Sequence, residues 1–272
     1  MKRKAFCLIL TVTFSWVSAF AKKHDVAYLD ELLDDPDETL YFQRSNAQQY
    51  SKRTGYDFDP EELNLVGQLA RRQYEREQMA RPLCFDDFKK ESVEEDGHVK
   101  EDEWRKSRRY EAIAHYVHQR LRDIYDDKIL PKPIRMINNV GQVLALFEIY
   151  NCSLTEYLGL WGALFEQNGY SGRYPHMRVW DIMVDGEMTS HGIKMNNTVP
   201  VTYGPGEVSL LKKKERRFYT LGEGAMMLDY GRGFVIPAFV QGTVIPYKNN
   251  GDIVSFKDHF AQCFKSMARR LR

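Results

Sequence analysis

Between Val179 and Tyr230, short runs rich in Val, Thr, Tyr and Phe are broken at close intervals by turn-forming clusters, and that punctuation restricts the fold more than any other feature. The runs are Val179–Val184, Thr198–Tyr203, Glu207–Leu211, Arg217–Thr220 and Ala225–Tyr230. Asp185-Gly186, Gly204-Pro205-Gly206 and Gly222-Glu223-Gly224 fall among them. β-Branched and aromatic residues suit a pleated, half-buried surface, and glycine supplies the positive φ that tight hairpin turns need. Several short strands at this spacing predict a closed or sandwiched antiparallel barrel.

The chain before this region has a different character. From Lys22 to about Lys106 it is charged and poor in β-branched residues, with an acidic cluster Asp34-Asp35-Pro36-Asp37-Glu38, and so reads as helix and solvated loop. Asp59 is placed as an N-cap with Pro60 at the first helical position, and the apolar residues that follow to Arg72 recur at helical spacing. A second helix is expected from Arg108 to Ile124, with Ile113, Tyr116, Val117 and Leu121 on one face. Pro131 and Pro133 close the helical part, and a mixed apolar helix is expected over Val143–Phe165. The tail, Ser255–Leu271, reads as an amphipathic helix with Phe256, Phe260, Phe264 and Met267 on one side.

Lys2-Arg3-Lys4 followed by the apolar run to Phe20 has the form of a secretory leader, either cleaved near Ala21 or kept as an uncleaved anchor. The expected organisation is therefore a signal peptide or signal anchor over 1–21, a charged helical region over 22–137 with an insertion at about 81–106, and a barrel with a C-terminal helix over 138–272. The 39 basic and 38 acidic residues leave a net charge of +1, so no global field recruits nucleic acid. Of four cysteines, Cys7 lies in the leader; Cys84, Cys152 and Cys263 form no disulfide framework and no zinc spacing.

Three segments follow in fixed order: Ser153-Leu154-Thr155-Glu156-Tyr157, Ser171-Gly172-Arg173-Tyr174 and Leu228-Asp229-Tyr230-Gly231-Arg232-Gly233. Together with Pro205-Gly206-Glu207 and Ile236-Pro237, they make the chain resemble the sigma non-opioid receptor and fungal C-8 sterol isomerase family, on the receptor side. The resemblance covers about Asp59 to Arg272. It implies an α+β fold, a cupin-like antiparallel β-barrel flanked by helices, facing the lumen of the endoplasmic reticulum at its membrane. A homo-oligomer is among the assemblies it admits, and neither cofactor nor metal is called for.

The same resemblance implies ligand-binding roles. A carboxylate at Asp229 meets the charged nitrogen of a hydrophobic amine or lies against a sterol-like lipid, Asp181 shares its proton, and Tyr157 orients Asp229. If the chain is an isomerase, Asp229 and Asp181 are its catalytic pair. The chemistry also stands on general grounds, because two carboxylates in a dry cavity cannot both ionise cheaply and so hold one negative charge between them. Tyr157 and Trp161 would add cation–π attraction of about 0.5–2 kcal/mol. Glu156 reads as structural support, capping a strand or pairing with an arginine such as Arg173 in the core, with Tyr174 beside it. One extra residue between Tyr174 and Asp181, relative to the receptor pattern, calls for a local bulge to restore register. The chain departs from the family at Asp229, where a glutamate is usual, at Asn151 in place of histidine, and at Gly141-Gln142 in place of paired glycines.

Two lesser motifs complete the reading. Residues 92–103 have the outline of a calcium loop, with Gly97 at the sharp turn and Glu103 at the bidentate position, but Ser92 replaces the first aspartate. Asn196-Asn197-Thr198 and Asn151-Cys152-Ser153 match the glycosylation acceptor pattern, the second expected to be buried.

Overall fold

The structure is a computed structural model and describes residues 23–84, 101–140, 143–192, 199–238, 240 and 253–269. The leader, most of the calcium-loop motif and Asn196-Asn197-Thr198 lie outside the described residues. Among the described residues four α-helices come first: α1 (Val26–Asp34), α2 (Pro36–Thr54), α3 (Pro60–Ala80) and α4 (Glu101–Tyr125). Asp25, Asp35 and Asp59 cap the first three by accepting from backbone N–H groups of Tyr28, Glu38 and Glu61. Such caps satisfy donors that the first turn leaves orphaned. Asp59 with Pro60 thus starts α3 where the sequence places it, although the helix runs on past Arg72 to Ala80. Among the described residues no helix is long and apolar enough to cross a membrane.

Ten strands follow among the described residues, in two antiparallel sheets. The larger has the order β1 (Ile134–Val140), β2 (Val143–Cys152), β3 (Glu156–Gly162), β10 (Met226–Gly233), β5 (Met177–Asp185), β8 (Val208–Leu211). The smaller has the order β4 (Gln167–Tyr170), β9 (Arg217–Leu221), β6 (Met188–Gly192), β7 (Val201–Tyr203). The α+β class is as expected, with helices flanking β structure, and the barrel takes the form of two separate sheets. β1 begins at Ile134, inside the region assigned to helices. A last helix, α5 (Ile253–Arg269), packs on β1 and β2.

The helix expected over Val143–Phe165 is instead the two paired strands β2 and β3. Both faces of these strands are covered, so β2 is buried at nearly every position and its sequence is an apolar run interrupted by Glu148 and Asn151 rather than an alternation. Such a run carries no period that distinguishes a buried strand from a buried helix.

Covering on both faces also explains the core. Leu158, Leu160, Trp180, Ile182, Val184, Leu228 and Tyr230 point from the large sheet toward α3 and α4, where they meet Leu63, Val66, Ile113, Val117 and Leu121. A Cβ at Gly67 would sit 3.0 Å from Val184 Cγ2, so the glycine is what lets α3 lie this close to the sheet. At the end of β5, buried Asp185 takes ion pairs from Arg71 of α3 and Arg109 of α4, tying both helices to the strand. Among the described side chains of α5, Cys263, Ser266 and Met267 are buried, while Phe260 and Phe264 are exposed and stacked on each other at 6.3 Å. The expected stripe of Phe256, Phe260, Phe264 and Met267 is therefore split: Met267 joins the core against the sheet, Phe260 and Phe264 do not, and the Phe256 side chain lies outside the described ones.

Candidate functional site

In a strand, alternate side chains point to opposite faces. Since Leu228 and Tyr230 face the helices, Met227 and Asp229 face the small sheet. On β5, Val179 and Asp181 likewise lie opposite in sense to Trp180 and Ile182, and on β3 Tyr157 and Trp161 opposite to Leu158 and Leu160. These inward side chains, with Val143, Tyr170, Leu211, Tyr219 and Leu221, line a cavity of about 70 Å³ between the sheets.

Asp229 and Asp181 are direct cross-strand partners in the β10–β5 ladder. The bulge expected between Tyr174 and Asp181 is not found in β5, which pairs with β10 in unbroken register from Met177 to Met183, and the irregularity in this ladder lies instead at Met226/Met227. Asp229 is enclosed by protein, yet part of its surface opens on the cavity. Burial raises its pKa, the neighbouring Asp181 charge raises it further, and the Tyr157 hydroxyl and Trp161 indole act in the opposite sense. Asp181 is also raised, by burial, against the Tyr219 hydroxyl and the Arg217 charge, which favour its ionised form. The pair therefore holds one proton more readily than two separate carboxylates would, and it carries a single negative charge over the range where one of them is ionised.

Hydrogen bonds fix the pair unevenly. Tyr219 Oη donates to Asp181 Oδ2 at 3.0 Å, and the Tyr157 hydroxyl lies close enough to Asp229 to favour its ionised form. Asp229 Oδ1 and the Trp161 indole N–H are both buried without a well-formed partner, although the indole lies against the carboxyl closely enough to influence it. Tyr157 reaches Asp229 because its ring lies over Gly231, its cross-strand partner, where any Cβ would collide with the ring. Arg217 is held by Ser209 Oγ at 2.8 Å, the Leu210 carbonyl at 2.7 Å and Glu215 at 3.1 Å, so its charge is fixed near Asp181. Tyr219 and Arg217 were not singled out in the sequence. The expected strand Arg217–Thr220 held the signal, since alternation places Arg217, Tyr219 and Leu221 on one face.

Glu156 is buried on the opposite, helix-facing side. It accepts from the backbone N–H groups of Asp57 at 2.9 Å and Phe58 at 3.3 Å and from Tyr230 Oη at 2.5 Å. It therefore ties the Gly55–Phe58 turn to the sheet and does not pair with Arg173, which is exposed and so outside both core and cavity. The difference follows from the strand geometry: Glu156 belongs to β3 rather than to a helix, and its side chain points away from the loop that carries Arg173. Tyr174 lines the cavity, and its own pKa is raised by burial and by the two aspartates. Asn151 is buried within β2, beyond reach of a glycosylating enzyme in the folded chain. Of the calcium-loop motif, Glu101–Glu103 form the first turn of α4. Among the described residues no group of three or more His, Cys, Asp or Glu side chains is placed to hold a metal ion.

Comparison with known proteins matches residues 87–272 to the family described as ERG2 and Sigma1 receptor like protein. Among curated relatives, the C-8 sterol isomerase erg2 of Aspergillus fumigatus is 28% identical over 102 residues, covering 38% of this chain and 41% of that protein. The sigma non-opioid intracellular receptor 1 of Gallus gallus is 32% identical over 97 residues, covering 36% of this chain and 42% of the receptor. The matched stretch thus spans about two-fifths of the length of these relatives. Among solved structures, an RmlC-like cupin from Shewanella frigidimarina aligns with a TM-score of 0.31 and 13% identity over 36% of this chain and 84% of that one. With the family match extending over more than half of its length, the chain belongs to the ERG2 and Sigma1 receptor like family.

Proposed function

We propose that this chain is a non-catalytic, sigma-receptor-like protein of the endoplasmic reticulum that binds a hydrophobic amine or sterol-like lipid between its two sheets. The observation that carries the reading is the register pairing of Asp229 with Asp181 inside an aromatic-lined cavity. One negative charge shared by two buried carboxylates suits one ligand cation, and Tyr157, Trp161, Tyr174 and Tyr219 offer ring faces and apolar surface around it. The cavity of about 70 Å³ is smaller than the roughly 300–1,000 Å³ of drug-sized sites, so ligand entry requires lining side chains to swing outward. Exposed Tyr170, on the edge strand β4, is the freest of them to do so.

A sterol isomerase is the second reading, favoured by the same facing carboxylates. One carboxylic acid would protonate an alkene carbon, and a carboxylate would take the proton from the neighbouring carbon, with the negative charge stabilising the carbocation between. Both carboxylates here are short aspartates, which limits the reach that proton transfer needs more than it limits cation binding. A displacement of about 1 Å costs on the order of a hundredfold in a positioned reaction.

Titration of a lipophilic amine into wild type and Asp229→Asn tests the site. The variant should fold and lose at least about a hundredfold in affinity, as expected when a buried charge loses its partner. Equal affinity would remove Asp229 from the site. Sterol analysis in isomerase-deficient yeast separates the two readings: the unaltered chain should leave sterols uncorrected, with Asp229→Glu raising any trace of conversion. Full correction by the unaltered chain would make it an isomerase.

A further inference from the structure

The unevenness of the hydrogen bonding around Asp229 says more about the ligand than its charge does. Buried polar atoms are nearly always paired, and an unpaired one marks a place where a partner is gained on binding or where the fold tolerates a cost. Here two such atoms, one acceptor and one donor, border the same cavity. Asp229 Oδ1 and the Trp161 indole N–H each lack a well-aligned partner, and the indole meets the carboxyl only loosely, near enough to favour its ionised form without completing a bond. Each is held where it is by its strand: Asp229 stands opposite Gly159 and Trp161 opposite Met227 in the β3–β10 ladder. The Trp161 ring is also packed against Phe147, with centroids 4.9 Å apart, so the indole is not free to turn its N–H elsewhere.

A lone ammonium group satisfies only half of this arrangement, because it donates and cannot accept. A hydroxyl does both at one atom, accepting from an N–H while donating to a carboxylate. We infer that the ligand of this site carries a hydroxyl group that bridges Trp161 Nε1 and Asp229 Oδ1, so that the preferred class is a hydroxylated lipophilic molecule, a long-chain amino alcohol rather than a plain amine. The inference rests on the proposed binding site and deepens it. Trp161 becomes the residue that sets specificity. A site built to hydrogen-bond a ligand hydroxyl discriminates against the analogue lacking it, since binding that analogue leaves the donor and acceptor buried and unpaired.

Calorimetric titration of the full chain with three probes tests this: N,N-dimethyldodecylamine, 1-(dimethylamino)dodecan-2-ol and the methyl ether of that alcohol. The alcohol should bind about tenfold to a hundredfold more tightly than the plain amine, with the ether between them because it accepts from Trp161 but donates nothing. In Trp161→Phe the ratio of alcohol to amine affinity should fall several-fold toward one. Equal binding of alcohol and amine by the wild type, or a ratio unchanged in Trp161→Phe, would overturn the inference while leaving the amine site standing. Failure of the wild type to bind any of the three would overturn the site and the inference together. If Trp161→Phe does not fold, the order alcohol, ether, amine in the wild type still decides, because a site without a bridging hydroxyl would rank the three by apolar surface alone.

Discussion

Glu156 and Asp229 are both buried carboxyls on neighbouring strands of one sheet, both with pKa values raised by burial, and they sit on opposite faces of it. On the helix-facing side, Glu156 accepts from three donors and holds a turn in place. On the cavity side, Asp229 keeps one oxygen without a well-formed partner, beside a second carboxyl and an indole in the same condition. The fold alone supplies Glu156 with its donors and leaves an oxygen of Asp229 without one. Unfinished polarity in an enclosed space is what a binding site requires and what a core avoids.

Substitutions on the two faces should therefore differ in sign. The largest effect is expected for Glu156→Ala, which strips an acceptor from Asp57 N–H, Phe58 N–H and Tyr230 Oη at once. A loss of about 3–5 kcal/mol is expected in urea denaturation, the scale on which buried charged networks fail. A loss under about 1 kcal/mol would erase the distinction drawn between the faces.

Asp229→Asn should act the other way and stabilise the unliganded protein by about 1 kcal/mol at neutral pH, because the folded chain no longer has to hold a proton on a carboxyl that the unfolded chain would ionise. Its pH dependence sharpens the point. The folded pKa of Asp229 lies above its unfolded value near 3.8, so between the two the folded chain keeps a proton that the unfolded chain releases. Stability contributed by this group therefore falls as pH rises from about 4 toward neutrality, and is flat below that window. The difference in stability between Asp229→Asn and wild type should grow over the same interval, and thermal melts at pH 4 and pH 7.5 measure it directly. A constant difference would mean that Asp229 is not raised by its surroundings.

Arg173→Ala should change stability by less than about 0.5 kcal/mol, since its side chain is exposed. A larger loss would return Arg173 to the core.

The strands bounded by turn glycines were legible in the sequence for a physical reason. Gly186, Gly206 and Gly224 all adopt positive φ, the conformation that makes glycine informative. β2 and β3 were not legible, because burial on both faces removes alternation, the signal that distinguishes a strand. β6, with Thr189, Ser190 and His191, is too short and too polar to stand out. The aspartate pair was reached through family resemblance; nothing in composition or spacing brings Asp181 beside Asp229, which depends on β10 lying between β3 and β5. The fate of Glu156 was half legible: its supporting role holds, while its partners, two backbone N–H groups about a hundred residues earlier, depend on tertiary packing.

The cross-strand pairing of Asp229 with Asp181 also bears on how such a gene can change. The segment between Tyr174 and Met177 is a connection, where a change in length leaves every strand position intact. One codon gained or lost inside β5 itself would carry Trp180 or Ile182 into the cavity and Asp181 against the helices, destroying core and site in a single event. Length variation among relatives is thus expected to collect in the connections, and within β5 and β10 to be tolerated only in steps of two residues or with a compensating bulge.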